Sequence, residues 1–285
     1  MAHRIPNGRL HLSTAAALSC PQPSRLPRLR AAIDRHPTFY PWVYAAWIFI
    51  AEICITFVNL RLGLFIHCAL LLILPAHAML AEGKRYRATL STLITAPLIR
   101  IMSIVLPLVQ FPIIDWYLMV SLPVFIACFF IVRLNHWSWS DIGLTPGRFW
   151  WQPVIALSGF AIGFGESLVL PVNRLAPELT IQAVFMPFLI LLVSTGFFEE
   201  LVFRGLMQRA SFRLFSDDGI FFNACVFASL HVGYKDLADL IYVFGVGLFF
   251  GILVRRSGSI IGTTFSHGLA NTTLYILVPL LSHQF

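Results

Sequence analysis

Runs of about twenty apolar residues recur along most of this 285-residue chain, and no other feature restricts its fold as strongly. Twenty residues of α-helix rise about 30 Å, the thickness of a bilayer's hydrocarbon core. Apolar residues make up 58% of the chain and charged residues only 12%, where a soluble domain carries about 25% charged. The expected fold is therefore all-α: a polytopic membrane protein with eight or nine transmembrane helices. Nine spans are read near 41–59, 62–80, 89–109, 112–132, 150–170, 179–203, 219–234, 237–254 and 259–280. The count falls to eight if 89–109, which holds Arg100 and two prolines, only dips into the membrane.

Lys and Arg alternate in density between successive connections. One set holds sixteen: six in the N-terminal tail, then Lys84, Arg85, Arg87, Arg133, Arg148, Arg204, Arg209, Arg213, Arg255 and Arg256. The other set holds only Arg61, Arg174 and Lys235. Positive charge accumulates on the cytoplasmic side, so the N-terminus is expected inside and, on nine spans, the C-terminus outside. This topology accounts for the net charge of +7 without nucleic acid as a partner. The expected organisation is a basic cytoplasmic segment over 1–40, N-terminal transmembrane helices over 41–132, a cytoplasmic loop over 133–149, and a catalytic core in the C-terminal half over 150–285. The location is an integral, multi-pass one: the plasma or inner membrane in a bacterium, the endoplasmic reticulum in a eukaryote. The five cysteines are scattered, with no CxxC or Cys/His cluster, so neither a disulfide framework nor a cysteine-zinc site is indicated.

Polar residues inside the spans carry the functional signal. The stretch Ser194-Thr-Gly-Phe-Phe-Glu-Glu-Leu-Val-Phe-Arg204 sets Glu200 and Arg204 four apart on one helical face, with Glu199 rotated about 100° away. A charge at the centre of a membrane helix costs roughly 2.5–3.5 kcal/mol on insertion scales. Glu200 and Arg204 offset part of that cost for each other, which leaves Glu199 as the freer carboxylate. Counted from Arg209, Glu199 lies about 15 Å deep at 1.5 Å per residue. His231 lies about 18 Å from the turn at Asp217-Asp218-Gly219, and His267 about 14 Å from the turn at Arg255-Arg256-Ser257-Gly258. Asn271 follows His267 by one turn on the same face. Three helices thus bring polar groups to similar depth from one side, which is the pattern of a site rather than of isolated packing residues.

Two chemistries suit this set. Glu199 beside a neutral His231 could deprotonate a water as general base, while His267 and Asn271 donate hydrogen bonds to an oxyanion. Alternatively Glu199, His231 and His267 could ligate zinc, with one position open for water.

The motifs themselves resemble a known family. Glu199-Glu200-Leu-Val-Phe-Arg204 is similar to its EExxxR motif, Phe227-Ala-Ser-Leu-His231 to FxxxH, and His267-Gly-Leu-Ala-Asn271 to HxxxN. Together, and in this order, they resemble the CPBP family of intramembrane proteases, which includes the type II CAAX prenyl proteases and bacterial Abi-like relatives. The resemblance covers roughly Trp139 to Leu281, and the loop Ser138-Trp-Ser-Asp-Ile-Gly-Leu144 also looks like the linker before the core of bacterial members. It implies that Glu199 is the catalytic glutamate acting with His231 on water. Glu200 and Arg204 would organise the site, and His267 with Asn271 would form the oxyanion hole. No cofactor is expected on that reading; zinc remains the alternative. The implied partner is a membrane-embedded or lipidated peptide or protein.

HExxH, GxSxG and the Gly-Asp pair of other intramembrane protease classes are missing. Two readings of another class stay open: a non-proteolytic binder or chaperone-like relative, and a proton-coupled transporter. The transporter reading predicts internal repeats, whereas the polar residues fall in one half. Gly247-Leu-Phe-Phe-Gly251 is read as a helix-packing element, Glu166 as structural, and His283 as solvated. Arg100 needs a buried partner, with Glu166 and Glu200 as the candidates.

Overall fold

The computed structural model describes residues 30, 34–105, 113–172 and 174–282. Most of the basic segment 1–40, with Cys20, lies outside them, as does His283. Among the described residues the protein is 82% helical and has no strand. Nine helical stretches follow in order among them: α1 Phe39–Val58, α2 Leu60–Leu80, α3 Lys84–Val105, α4 Ile113–Leu134, α5 Trp151–Ser167, α6 Ile181–Phe215, α7 Asp218–Ser229, α8 Leu237–Ser257 and α9 over 261–282. Six are long and apolar enough to cross a membrane: α1, α2, α3, α4 from Asp115, α6 and α8. Large apolar side chains such as Phe65, Leu72, Leu122 and Val154 point outward, a surface suited to lipid rather than water. The protein is an all-α, polytopic, integral membrane protein.

The remaining three differ from the expected spans for physical reasons. α5 has 17 residues, and α9 is diluted by Thr263, Thr264, Ser266, His267, Asn271, Thr272 and Thr273. α7 has 12 residues, about 18 Å of helix, too short to cross alone. The expected span 219–234 is therefore replaced by a short helix, a 3-10 turn at Val232–Tyr234, and a new helix start at Leu237. His231 sits just past the end of α7 rather than inside a helix. The new start is capped by the Asp236 carboxylate, which accepts from the backbone N–H groups of Ala238 and Asp239, satisfying donors that a helix start leaves unpaired.

Small residues set how closely the functional helices approach. α9 lies along α5, and a Cβ placed on Gly159 or Gly163 would come within 2.1 Å of the Ser266 oxygen or 2.2 Å of the Ala270 oxygen. A Cβ on Gly196 of α6 would lie 2.7 Å from the Thr264 oxygen, and one on Gly268 of α9 would lie 2.6 Å from the Leu192 side chain. Such backbone proximity is how membrane helices gain packing energy without a hydrophobic driving force. Gly247 and Gly251 play the expected part on α8, facing Ala224 and Ile220 of α7.

On the basic side of the bundle the loop between α4 and α5 clasps three elements. The Gly143 oxygen accepts from Ile260 N–H at 3.0 Å, and Arg148 N–H donates to the Ser257 oxygen at 2.8 Å. Arg209 of α6 bonds both the backbone oxygen and the carboxylate of Asp141 and stacks on Trp137. Asp141 is held below the ordinary carboxylate range, first by the Ser138 backbone N–H, then by the Ser138 hydroxyl and Arg209, against the opposing effect of burial. The motif-bearing helices are thereby tied together at one end.

Candidate active site

α6 is not a uniform helix where it carries its carboxylates. It widens into π-helical turns at Leu192–Phe197 and Glu200–Met207, which flank Glu199. The Thr195 hydroxyl bonds back to the Leu191 oxygen, a competition with the helix ladder that bends helices. Gly196 and Gly205 further lower helical preference there. Wide turns of this kind gather at functional sites because they re-aim side chains.

Glu200 and Arg204 have fully buried side chains and pair at 2.9 Å between Oε1 and Nη1. The guanidinium lies between the rings of Phe227 and Phe250, at 4.4 and 5.4 Å from their centroids. The same Glu200 oxygen is 3.2 Å from Nδ1 of His267. A carboxylate only accepts, so Nδ1 carries the proton in that bond. On the opposite edge of the ring, His267 Nε2 lies 3.7 Å from Glu199 Oε2. Side-chain exposure of 23% at Glu199 against zero at Glu200 makes Glu199 the carboxylate that reaches open space.

His231 is fixed by its own helix end. Its Nδ1 donates to the Phe227 oxygen at 3.1 Å. A carbonyl cannot donate, so neutral His231 presents the Nε2 lone pair outward. Asn271 Nδ2 donates one of its two protons to Thr195 Oγ1 at 2.8 Å, joining α9 to α6.

Two neighbouring cavities share this constellation. The larger, about 320 Å³, is lined by Glu199 and His231 together with Ser194, Arg100, Tyr117 and Tyr234. The smaller, about 60 Å³, is lined by Glu199 and His231 together with His267, Asn271, Glu166 and Tyr275. The second volume suits one or two waters, whose share of liquid is about 30 Å³ each. Glu199 and His231 therefore stand at the junction, with the four motif side chains meeting around the smaller chamber.

Several lining residues were not singled out from the sequence. Tyr117 of α4 and Tyr234 line both cavities, and the Tyr234 and Tyr275 hydroxyls lie 3.3 Å apart. Aromatic residues are common in membrane spans, so nothing in their spacing marked them. Glu166, expected to be structural, faces the smaller chamber. Arg100 pairs with neither Glu166 nor Glu200: its Nε donates to Glu52 Oε1 of α1 at 2.7 Å. An ionisable residue inside a span is a functional candidate by default, and Glu52 carried that signal.

As a zinc set, Glu199, His231 and His267 fit poorly. Among the described residues no three His, Cys, Asp or Glu side chains converge as metal ligands. No step below is routed through a metal.

Residues 181–273 match the family model described as Rce1-like, type II CAAX prenyl endopeptidase. The EExxxR, FxxxH and HxxxN motifs all fall within the matched residues. That match supports membership of the CPBP family and, in general terms, a CAAX-type intramembrane protease. No curated protein and no solved structure matches the chain.

Proposed function

We propose that the chain is an intramembrane endopeptidase that hydrolyses a peptide bond of a membrane-anchored or lipidated substrate. The observation that carries this reading is the placement of Glu199 and His231 at the junction of a water-sized chamber and a larger one. The scissile peptide occupies the larger cavity with its carbonyl carbon turned to the junction. A water in the smaller chamber donates one proton to Glu199 and another hydrogen bond to Nε2 of His231. Its oxygen attacks the carbonyl carbon, and the C=O electron pair moves onto oxygen. That oxyanion accepts hydrogen bonds from the second Nδ2–H of Asn271 and, with His267 as imidazolium, from its Nε2–H, without proton transfer. Collapse expels the amine, which takes the proton held by Glu199, and leaves a new carboxylic acid, whose remaining water-derived proton passes to Nε2 of His231 and on to solvent to give the carboxylate. Glu200 and Arg204 orient His267 and keep the buried charge paired.

On this reading the chain's own side chains suffice, with neither cofactor nor metal. The family's name makes prenylated substrates the first class to test. The arginine asymmetry supports a cytoplasmic N-terminus and a site reached from the cytoplasmic leaflet; cysteine labelling that places position 199 on the opposite side would reject that orientation. The functional test incubates purified wild type, Glu199→Ala, His231→Ala and His267→Ala with prenylated and membrane-anchored peptides, with and without a zinc chelator, and reads products by mass spectrometry. Cleavage by wild type alone, unaffected by chelator, is the expected result. Cleavage lost on chelation contradicts the metal-free mechanism, and cleavage retained in the folded variants contradicts the site.

A further inference from the structure

Three buried ionisable groups in the N-terminal helices converge on a single point. Glu52 of α1 and His67 of α2 have fully buried side chains, and Arg100 of α3 is 16% exposed. Glu52 Oε1 accepts from Arg100 Nε at 2.7 Å and has His67 Nε2 at 3.2 Å. Arg100 Nη2 reaches across to donate to the Leu230 oxygen at 2.6 Å. Taking such charges out of water is costly unless each finds a partner, so three helices bearing one group apiece are an expensive way merely to pack.

The far end of this chain of contacts explains the expense. Leu230 is the C-cap of α7, where terminal carbonyls lack helical partners and carry the negative end of the helix dipole. A guanidinium there satisfies the orphan acceptor and complements the dipole. The Leu230 oxygen also belongs to the peptide plane that includes the nitrogen of His231, and that plane is rigid. Of the other holds on His231, two, from its backbone N–H to the Ala228 oxygen at 2.8 Å and from Nδ1 to the Phe227 oxygen, come from α7 itself, and a third, from Tyr234 N–H to the His231 oxygen at 3.1 Å, comes from the turn that follows. Arg100 adds one from a different helix.

We infer that Arg100, braced by Glu52, is a positioning residue that holds the His231 peptide in register with Glu199. The kinetic consequence rests on the hydrolytic reading above; the geometric one does not. Arg100 also lines the larger cavity, so direct binding of an acidic substrate group is the competing role.

The test uses the full-length protein purified in detergent. Arg100→Gln alone strands the Glu52 carboxylate, so the informative variant is Glu52→Gln/Arg100→Gln, which removes both charges, with Arg100→Lys as the conservative control. Two readouts are taken: the rate at which diethyl pyrocarbonate modifies His231, with the exposed His136 as internal reference, and kcat and KM for a cleaved peptide. The double variant stays folded by thermal unfolding, its His231-to-His136 modification ratio rises, and kcat falls by about 10²-fold, as small misplacements do, with KM unchanged. Arg100→Lys recovers part of both. An unaltered ratio and kcat in the folded double variant overturn the inference, as does a raised KM with kcat intact. Should wild type cleave no peptide, the hydrolytic reading fails by itself and the modification ratio still decides this one.

Discussion

The two halves of the bundle put charge into the membrane in different ways. In the C-terminal half the charged and polar side chains come in pairs one helical turn apart, Glu200 with Arg204 and His267 with Asn271, on helices drawn together by glycines. In the N-terminal half Glu52, His67 and Arg100 stand singly on three helices and meet only through the fold. The first arrangement sets His267 and Asn271 on an open chamber with Glu200 and Arg204 fully buried behind them; the second ends on a backbone oxygen beside a chamber. Reacting groups need access and electronic tuning, whereas supports need rigidity, and the two halves divide along that line.

The contrast breaks most readily at Glu199. Glu199→Gln should keep the fold and lower kcat by about 10²–10⁴-fold, the usual contribution of a positioned base; peptide-cleavage kinetics check it. The next effect is on stability. Arg204→Met removes the guanidinium from the buried Glu200 carboxylate and leaves it His267 Nδ1 as its partner at Oε1; breaking a buried ion pair in this way costs about 3–5 kcal/mol. Thermal unfolding in detergent should show a marked drop, with much of it restored by adding Glu200→Gln.

A smaller effect is expected where the C-terminal helices touch. Gly163→Leu drives a side chain into the Ala270 backbone, 2.2 Å from the first carbon it adds. Overpacking of that kind costs about 1–3 kcal/mol, and the displacement of α9 should lower activity beyond the loss of stability. The smallest concerns the loop clasp. Folding lowers the Asp141 pKa, so its contribution is complete above the ordinary Asp value and disappears as pH falls through the lowered one. The partly exposed Asp141–Arg209 pair should contribute under about 1 kcal/mol. Unfolding temperature measured against pH should show a slightly shallower acid limb in Asp141→Asn than in wild type.

Which parts were legible in the sequence follows from the same division. Pairs four residues apart can be read from helical geometry without knowing the fold, and so can the apolar runs that became α1 to α4, α6 and α8. The Glu52–Arg100 contact spans 48 positions and the Arg100–Leu230 contact 130, distances that no local period encodes. The shortness of α7 was hidden because Leu230, Val232 and Tyr234 continue its apolar character while the backbone leaves the helix. Irregular backbone at such depth is tolerated where it lines a cavity, and Leu230, His231 and Gly233 do line one. The π-helical turns around Glu199 were likewise beyond reach, since they arise where Gly196 and Gly205 are pressed against neighbouring backbone.

The central claim is that Glu199 activates water against a peptide carbonyl inside the membrane. Cleavage of a prenylated peptide in ¹⁸O-labelled water, followed by mass spectrometry of the new C-terminus, tests it most directly. The account predicts one labelled oxygen in the new carboxylate with wild type, and no cleavage with folded Glu199→Gln. An unlabelled product, or labelled cleavage that persists without the Glu199 carboxylate, would contradict it.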